Sequence, residues 1–215
     1  MTRAMRTTAG RLLVLLCAGL CGCNLSRPYP DKTFYAIEAG KPTAAGRPVS
    51  PLTLRIYDLL IASPYNQQSF VYKTGASRFE SDYYHGFIVA PTGLLTGVLV
   101  DWMKGAGLYA VVVGSDSRLA DKIILEGNVR EMYGDFTDSK NPRAVMTAAF
   151  FLIDDTAVDG RVLFQKTYHA ESPIAGSASE GMAAGLGAAY REILTQLTQD
   201  LAHVEVDLPA STQPA

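Results

Sequence analysis

Residues 91–113 read PTGLLTGVLVDWMKGAGLYAVVV, and a change of period inside them decides the fold class. Leu95, Val98, Leu99, Trp102 and Ala106 recur at helical spacing, which makes one stripe of a helix apolar. Pro91 stands where a helix can begin without losing a hydrogen bond, and Gly105 and Gly107 stand where one can end. Tyr109–Val113 then follows as a β-prone run too short for a helix. A helix is therefore expected between strands.

The flanking sequence supplies those strands. Leu52, Leu54 and Ile56 alternate with Thr53, Arg55 and Tyr57, the pattern of a half-buried strand. Phe70–Thr74 and Arg78–Asp82 are β-prone runs around Gly75-Ala76-Ser77, which predicts a hairpin. Downstream, Leu125, Gly127 and Val129 face one way, while Glu126, Asn128 and Arg130 face the other. Ala144–Ile153 is apolar on both faces, so it belongs centrally in a sheet. Asp159-Gly160 turns the chain into a strand over Arg161–Ala170. Ser177 and Glu180 have the spacing of a capping box, opening a helix along Leu186, Ala189, Ile193, Leu197 and Leu201. Gly181, Gly185 and Gly187 weaken that helix but let a neighbour come close. The expected fold is α+β, a mainly antiparallel sheet with two long helices packed on one face.

The N-terminal end has a different character. Arg3, Arg6 and Arg11 precede the apolar run Leu12–Leu20, which is too short for a transmembrane span. Leu20-Cys21-Gly22-Cys23 then resembles a bacterial lipobox, so residues 1–22 are expected to be a lipoprotein signal peptide. Cys23 would carry the N-acyl and S-diacylglycerol groups, with no other cofactor expected. Cys17 and Cys21 each follow a bulky leucine, and no cysteine lies beyond Cys23 for a disulfide or thiolate site. Residues 23–50 read as a lipidated tether with a short first strand at Phe34–Ile37, residues 51–208 as the α+β domain, and 209–215 as a disordered tail. Without residues 1–22 the formal charge moves from −2 to −5 by loss of three arginines, which disfavours nucleic acid as a partner. Asn24, where an aspartate would favour inner-membrane retention, is compatible with the periplasmic face of the outer membrane.

Catalytic patterns were not found in the sequence, so a non-enzymatic role is expected. His85, His169 and His203 are widely separated. Asp154, Asp155 and Asp159 with Gly160 lack the alternating oxygen ligands of a calcium loop and read as a solvated hairpin turn. The more suggestive feature is aromatic: Phe70, Tyr72, Phe79, Tyr83, Tyr84 and Phe87 lie close together, beside Tyr65. Some must face the core, and the remainder mark a docking surface. Phe70, Tyr72, Tyr83 and Tyr84 are the candidate partner-binding residues.

The run Phe70-Val-Tyr-Lys-Thr-Gly, then Arg78-Phe-Glu, Tyr83-Tyr-His-Gly-Phe, Pro91 and Leu94-Leu95, resembles the ABC-type transport auxiliary lipoproteins. These are the lipoprotein partners of transport systems with mammalian-cell-entry (MCE) domains. Gly105–Val113 fits the glycine-ended helix and valine strand of that pattern, and Phe34-Tyr35-Ala-Ile37 fits its first aromatic strand. Lys73 stands where arginine is common, and Gly86-Phe87 where tryptophan is usual. The resemblance implies a lipid-anchored auxiliary subunit that helps move phospholipids or other hydrophobic molecules across the periplasm. Its partners would be an MCE-domain protein with its inner-membrane permease and ATPase, and copies of itself. The alternative is a periplasmic lipid carrier or outer-membrane assembly lipoprotein. Its acyl-chain pocket would be lined by Leu95, Leu99, Trp102, Ile193 and Leu197.

Overall fold

Strands β7 (Ile123–Asp135), β8 (Arg143–Asp154) and β9 (Arg161–Pro173) form an antiparallel meander that is the backbone of the molecule. The computed structural model describes residues 31–44, 50–120, 123–156 and 160–206, and all of these except Asp31 belong to the unit Lys32–Ala215. The signal segment, Cys23, Asp159 and the C-terminal tail lie outside the described residues.

On its other side β7 takes three partners in succession, all parallel. Its start pairs with β2 (Ser50–Ile56), its middle with β3 (Leu60–Ile61) and its end with β4 (Ser69–Lys73). The sheet therefore forks. β2 carries β6 (Tyr109–Val113) in parallel, whereas β4 carries β5 (Phe79–Phe87) antiparallel, and β5 carries β1 (Thr33–Tyr35) in parallel. The fold is α+β as expected, but the sheet is mixed. The long ladders are antiparallel and the short ones mostly parallel.

The two helices lie on one face of this sheet. Helix α1 (Pro91–Ala106) begins at Pro91 and ends at Gly107, whose φ of 69° is a left-handed cap that suits glycine. Helix α2 (Ala178–Leu201) is capped by Ser177, whose Oγ accepts from the Glu180 N–H and whose hydroxyl donates to the Glu180 carboxylate. The helices meet through buried polar links: Trp102 Nε1 donates to Thr198 Oγ1 at 2.9 Å and the Tyr190 hydroxyl to the Leu95 carbonyl at 3.0 Å. Burial raises the Tyr190 pKa. Around these links one core joins α1, α2 and the facing residues of β7 and β8, including Leu125, Met146, Phe150 and Leu152.

Two expectations about side chains need correction. Arg55 was read as outward-facing; it is buried, with its guanidinium donating to the carbonyls of Gly114, Ser117 and Leu119. It ties down the loop after β6, which is how a cation is tolerated there. Asp154 does not sit in a solvated turn: its side chain is 2 % exposed, paired with Arg161 at 3.1 Å and accepting from Thr156.

Candidate functional site

The β4–β5 ribbon carries the aromatic cluster, and its register explains which rings are hidden. Pairing runs regularly from Lys73↔Phe79 to Val71↔Ser81, then jumps to Ser69↔Gly86. Five steps along β5 match two along β4, so Asp82–His85 bulge out of the ladder. Asp82 holds the bulge. One carboxylate oxygen accepts from the Tyr84 N–H at 2.8 Å and the His85 N–H at 3.0 Å. The other lies 2.9 Å from His85 Nδ1 and accepts from the Tyr72 hydroxyl at 3.1 Å. Partial burial pushes the Asp82 carboxyl up, but these hydrogen bonds outweigh it and hold it below the usual carboxylate range. The Tyr72 hydroxyl is raised by burial and by Asp82.

The four sequence-predicted residues therefore part company. Phe70 is fully buried, its ring 4.8 Å from Phe87 and 5.6 Å from Tyr35, and it is a core residue rather than a docking residue. Tyr72 is half-buried and engaged with Asp82. Tyr84 is half-buried with its ring edge-on to Tyr83 at 5.1 Å. Tyr83 is 57 % exposed at the crest of the bulge, with Lys32 Nζ 4.3 Å from its ring centre. Gly86 follows because nothing larger fits: a Cβ there would lie 2.2 Å from the Gln68 carbonyl oxygen.

A second aromatic group occupies the turn end of the ribbon, on the sheet face away from the helices. Phe79, 46 % exposed, meets Tyr133 edge-on at 5.5 Å, and Tyr133 stacks on Tyr65 at 6.0 Å. Val71 and Val145 pack beneath these rings, and Lys73 Nζ lies 5.6 Å from the Tyr133 ring and 3.8 Å from Asp135. Burial, with Glu131 and Asp135 nearby, pushes the Tyr133 hydroxyl up to about 12. Tyr133 was not singled out from sequence; its alternation within β7, two residues after Glu131, was the available signal. Beside this group Glu131, Thr147, His169, Glu171 and Arg143 form a hydrogen-bonded ladder across β7, β8 and β9. His203 is satisfied by the Gln199 carbonyl. Among the described residues, no group of three or more His, Cys, Asp or Glu side chains is arranged to hold a metal ion.

The five residues expected to line an acyl pocket fill the core instead: Leu95, Leu99, Ile193 and Leu197 are fully buried and Trp102 is 4 % exposed. A cavity of about 540 Å³ does open beside the end of α2, where Pro42, Ala44, Trp102 and Ala202 line it together with Thr43, Thr195, Thr198, Gln199 and His203. No described helix is long and apolar enough to cross a membrane.

Solved structures share this architecture. Protein XCC0632 of Xanthomonas campestris, from the DUF330 family, superposes with a TM-score of 0.69 at 18 % identity, over 78 % of this chain and 93 % of that one. The fold is the same. An uncharacterised protein superposes with a TM-score of 0.62 at 13 % identity, over 80 % and 99 % of the two chains. A lipoprotein of Neisseria meningitidis, GNA1162, has a TM-score of 0.39 at 15 % identity, over 68 % and 98 %, too distant to carry an argument. Neither a protein-family model nor a curated protein sequence matches the chain.

Proposed function

We propose that this protein is a lipid-anchored, non-catalytic auxiliary subunit of an ABC-type MCE transport system. Acylated at Cys23, it sits at the periplasmic face of the outer membrane and docks an MCE-domain protein coupled to an inner-membrane permease and ATPase. The observation that supports this best is the turn end of β4–β5. Phe79, within the stretch that resembles the auxiliary lipoproteins, meets Tyr133 there, and Tyr133 stacks on Tyr65, on a sheet face away from both helices. Rigid aromatic anchors with a lysine and acidic groups at their rim are the composition of a docking surface. Tyr83 and Tyr84, at the far end, belong to a second surface. Self-association is part of the reading: among the described residues β9 pairs only with β8, which leaves its outer edge for a second copy. The burial of Leu95, Leu99, Trp102, Ile193 and Leu197 in the core argues against the acyl-chain pocket of the carrier alternative.

The test is affinity purification from the native membrane in mild detergent, with mass spectrometry of proteins and lipids. Co-purification of an MCE-domain protein and its ATPase is the expected result. Stoichiometric lipid without those proteins would favour the carrier and overturn the proposal.

A further inference from the structure

Four of the ten large exposed hydrophobic side chains among the described residues gather at one corner: Phe34 (50 % exposed), Tyr83 (57 %), Ile88 (58 %) and Val89 (48 %). The pairing of β1 with β5 puts them together. Phe34 stands opposite Gly86, so no cross-strand side chain covers its ring. Tyr83 borders the same shallow groove as Phe34, with Lys32, Gln68 and Tyr84. Ile88 lies two residues beyond Gly86, its N–H donating to the Tyr35 carbonyl at 2.9 Å, and Val89 follows it. Tyr35, Phe70 and Phe87 fill the core behind, so the outward residues are surplus to it.

We propose that Phe34, Tyr83, Ile88 and Val89 form a membrane-contact patch that seats this corner in the interfacial layer of the bilayer holding the anchor. The proposal rests on the reading of Cys23 as the acylated residue. The occupant follows from chain length. Nine residue steps separate Cys23 from Lys32, so the chain between them can span at most about 30 Å. Phe34 comes two residues later. The patch thus lies where the chain enters the domain from its anchor. Its chemistry also fits: aliphatic tips to enter the acyl boundary, a tyrosine for the headgroup level, and Lys32 able to reach outward to phosphate. Asp82, the nearest acid within the bulge, is consumed by its hydrogen bonds to Tyr72, Tyr84 and His85.

The test uses the full mature lipoprotein in phosphatidylethanolamine–phosphatidylglycerol vesicles. Spin labels are placed singly through Phe34→Cys, Ile88→Cys and, as control, Leu119→Cys in the loop after β6, 55 % exposed. Expected is high oxygen accessibility with loss of accessibility to an aqueous nickel chelate at 34 and 88, and an aqueous signal at 119. Val89→Asp, at a half-exposed position, is expected to return the label at 34 to water with the melting temperature unchanged. If intact-mass spectrometry shows the acyl groups and the vesicles retain the protein, yet 34 and 88 match 119, the patch proposal is overturned and the anchor stands. Motion at 34 and 88 quenched only by an added protein, in those same vesicles, would also overturn it. A mass without acyl groups overturns the anchor reading and this proposal with it.

Discussion

Gly187→Ala sets a gain against a loss, and the structure fixes which is larger. Alanine in a helix interior is favoured over glycine by about 1 kcal/mol. At position 187 the added Cβ would sit 2.4 Å from the Glu38 carbonyl oxygen, well inside contact distance. The oxygen cannot simply retreat. Ile37 and Ala39 on either side of it are 2 % and 1 % exposed, and the Ala39 carbonyl accepts from Arg191 Nε at 2.6 Å. Overpacking costs about 1–3 kcal/mol, and drawing Ile37 partly out of the core costs about 1–2 more. The net effect is a destabilisation of about 1–4 kcal/mol, or about 2–16 °C in melting temperature for a domain of this size. Gly97→Ala is the control, since nothing lies within 4 Å of a Cβ there in α1. It is expected to stabilise by up to about 1 kcal/mol. Thermal and urea unfolding of both variants decide the matter. A Gly187→Ala protein at least as stable as wild type would refute the close packing of α2 on the Ile37–Ala39 segment.

Asp82→Ala is expected to cost about 2 kcal/mol, or about 4–8 °C, because two backbone N–H groups and the Tyr72 hydroxyl lose their acceptor; calorimetry measures it. Its carboxyl is lowered in the folded state, so its contribution is complete above the unfolded value near 3.9 and is lost as pH falls through the lower folded value. Stability curves of wild type and Asp82→Asn should therefore converge in strong acid, and a constant gap would contradict the assignment. Trp102→Phe removes the bond to Thr198 and part of a buried ring, and is expected to lower stability by about 1–3 kcal/mol in urea unfolding. Cys23→Ala is expected to abolish labelling by a palmitate analogue and to move the protein out of the membrane fraction. Retained labelling would sink the lipid anchor.

Local periodicity carried most of the architecture. The α1 stripe, the doubly apolar β8, the β4–β5 hairpin and the Ser177 capping box were legible because each rests on contacts within one segment. The parallel pairings of β7 with β2, β3 and β4 were not, because a two- or three-residue ladder between distant segments leaves no period in either. Arg55 sits at a polar position by alternation, and only the loop folded over it turns that position into a buried one. The aromatic cluster was visible as composition. Its division into core and surface depended on the bulge at Asp82, which changes the alternation of β5 midway, so that Phe87 is buried while Tyr83 is exposed.

The most direct test of the docking account is photo-crosslinking in intact cells from a benzophenone residue at Phe79, with one at Val162 as control. The account predicts an adduct from position 79 that mass spectrometry identifies as an MCE-domain protein, and from position 162 an adduct only to a second copy of the chain. No MCE-domain adduct from 79 in a correctly acylated protein, or equal MCE-domain adducts from both positions, would contradict it.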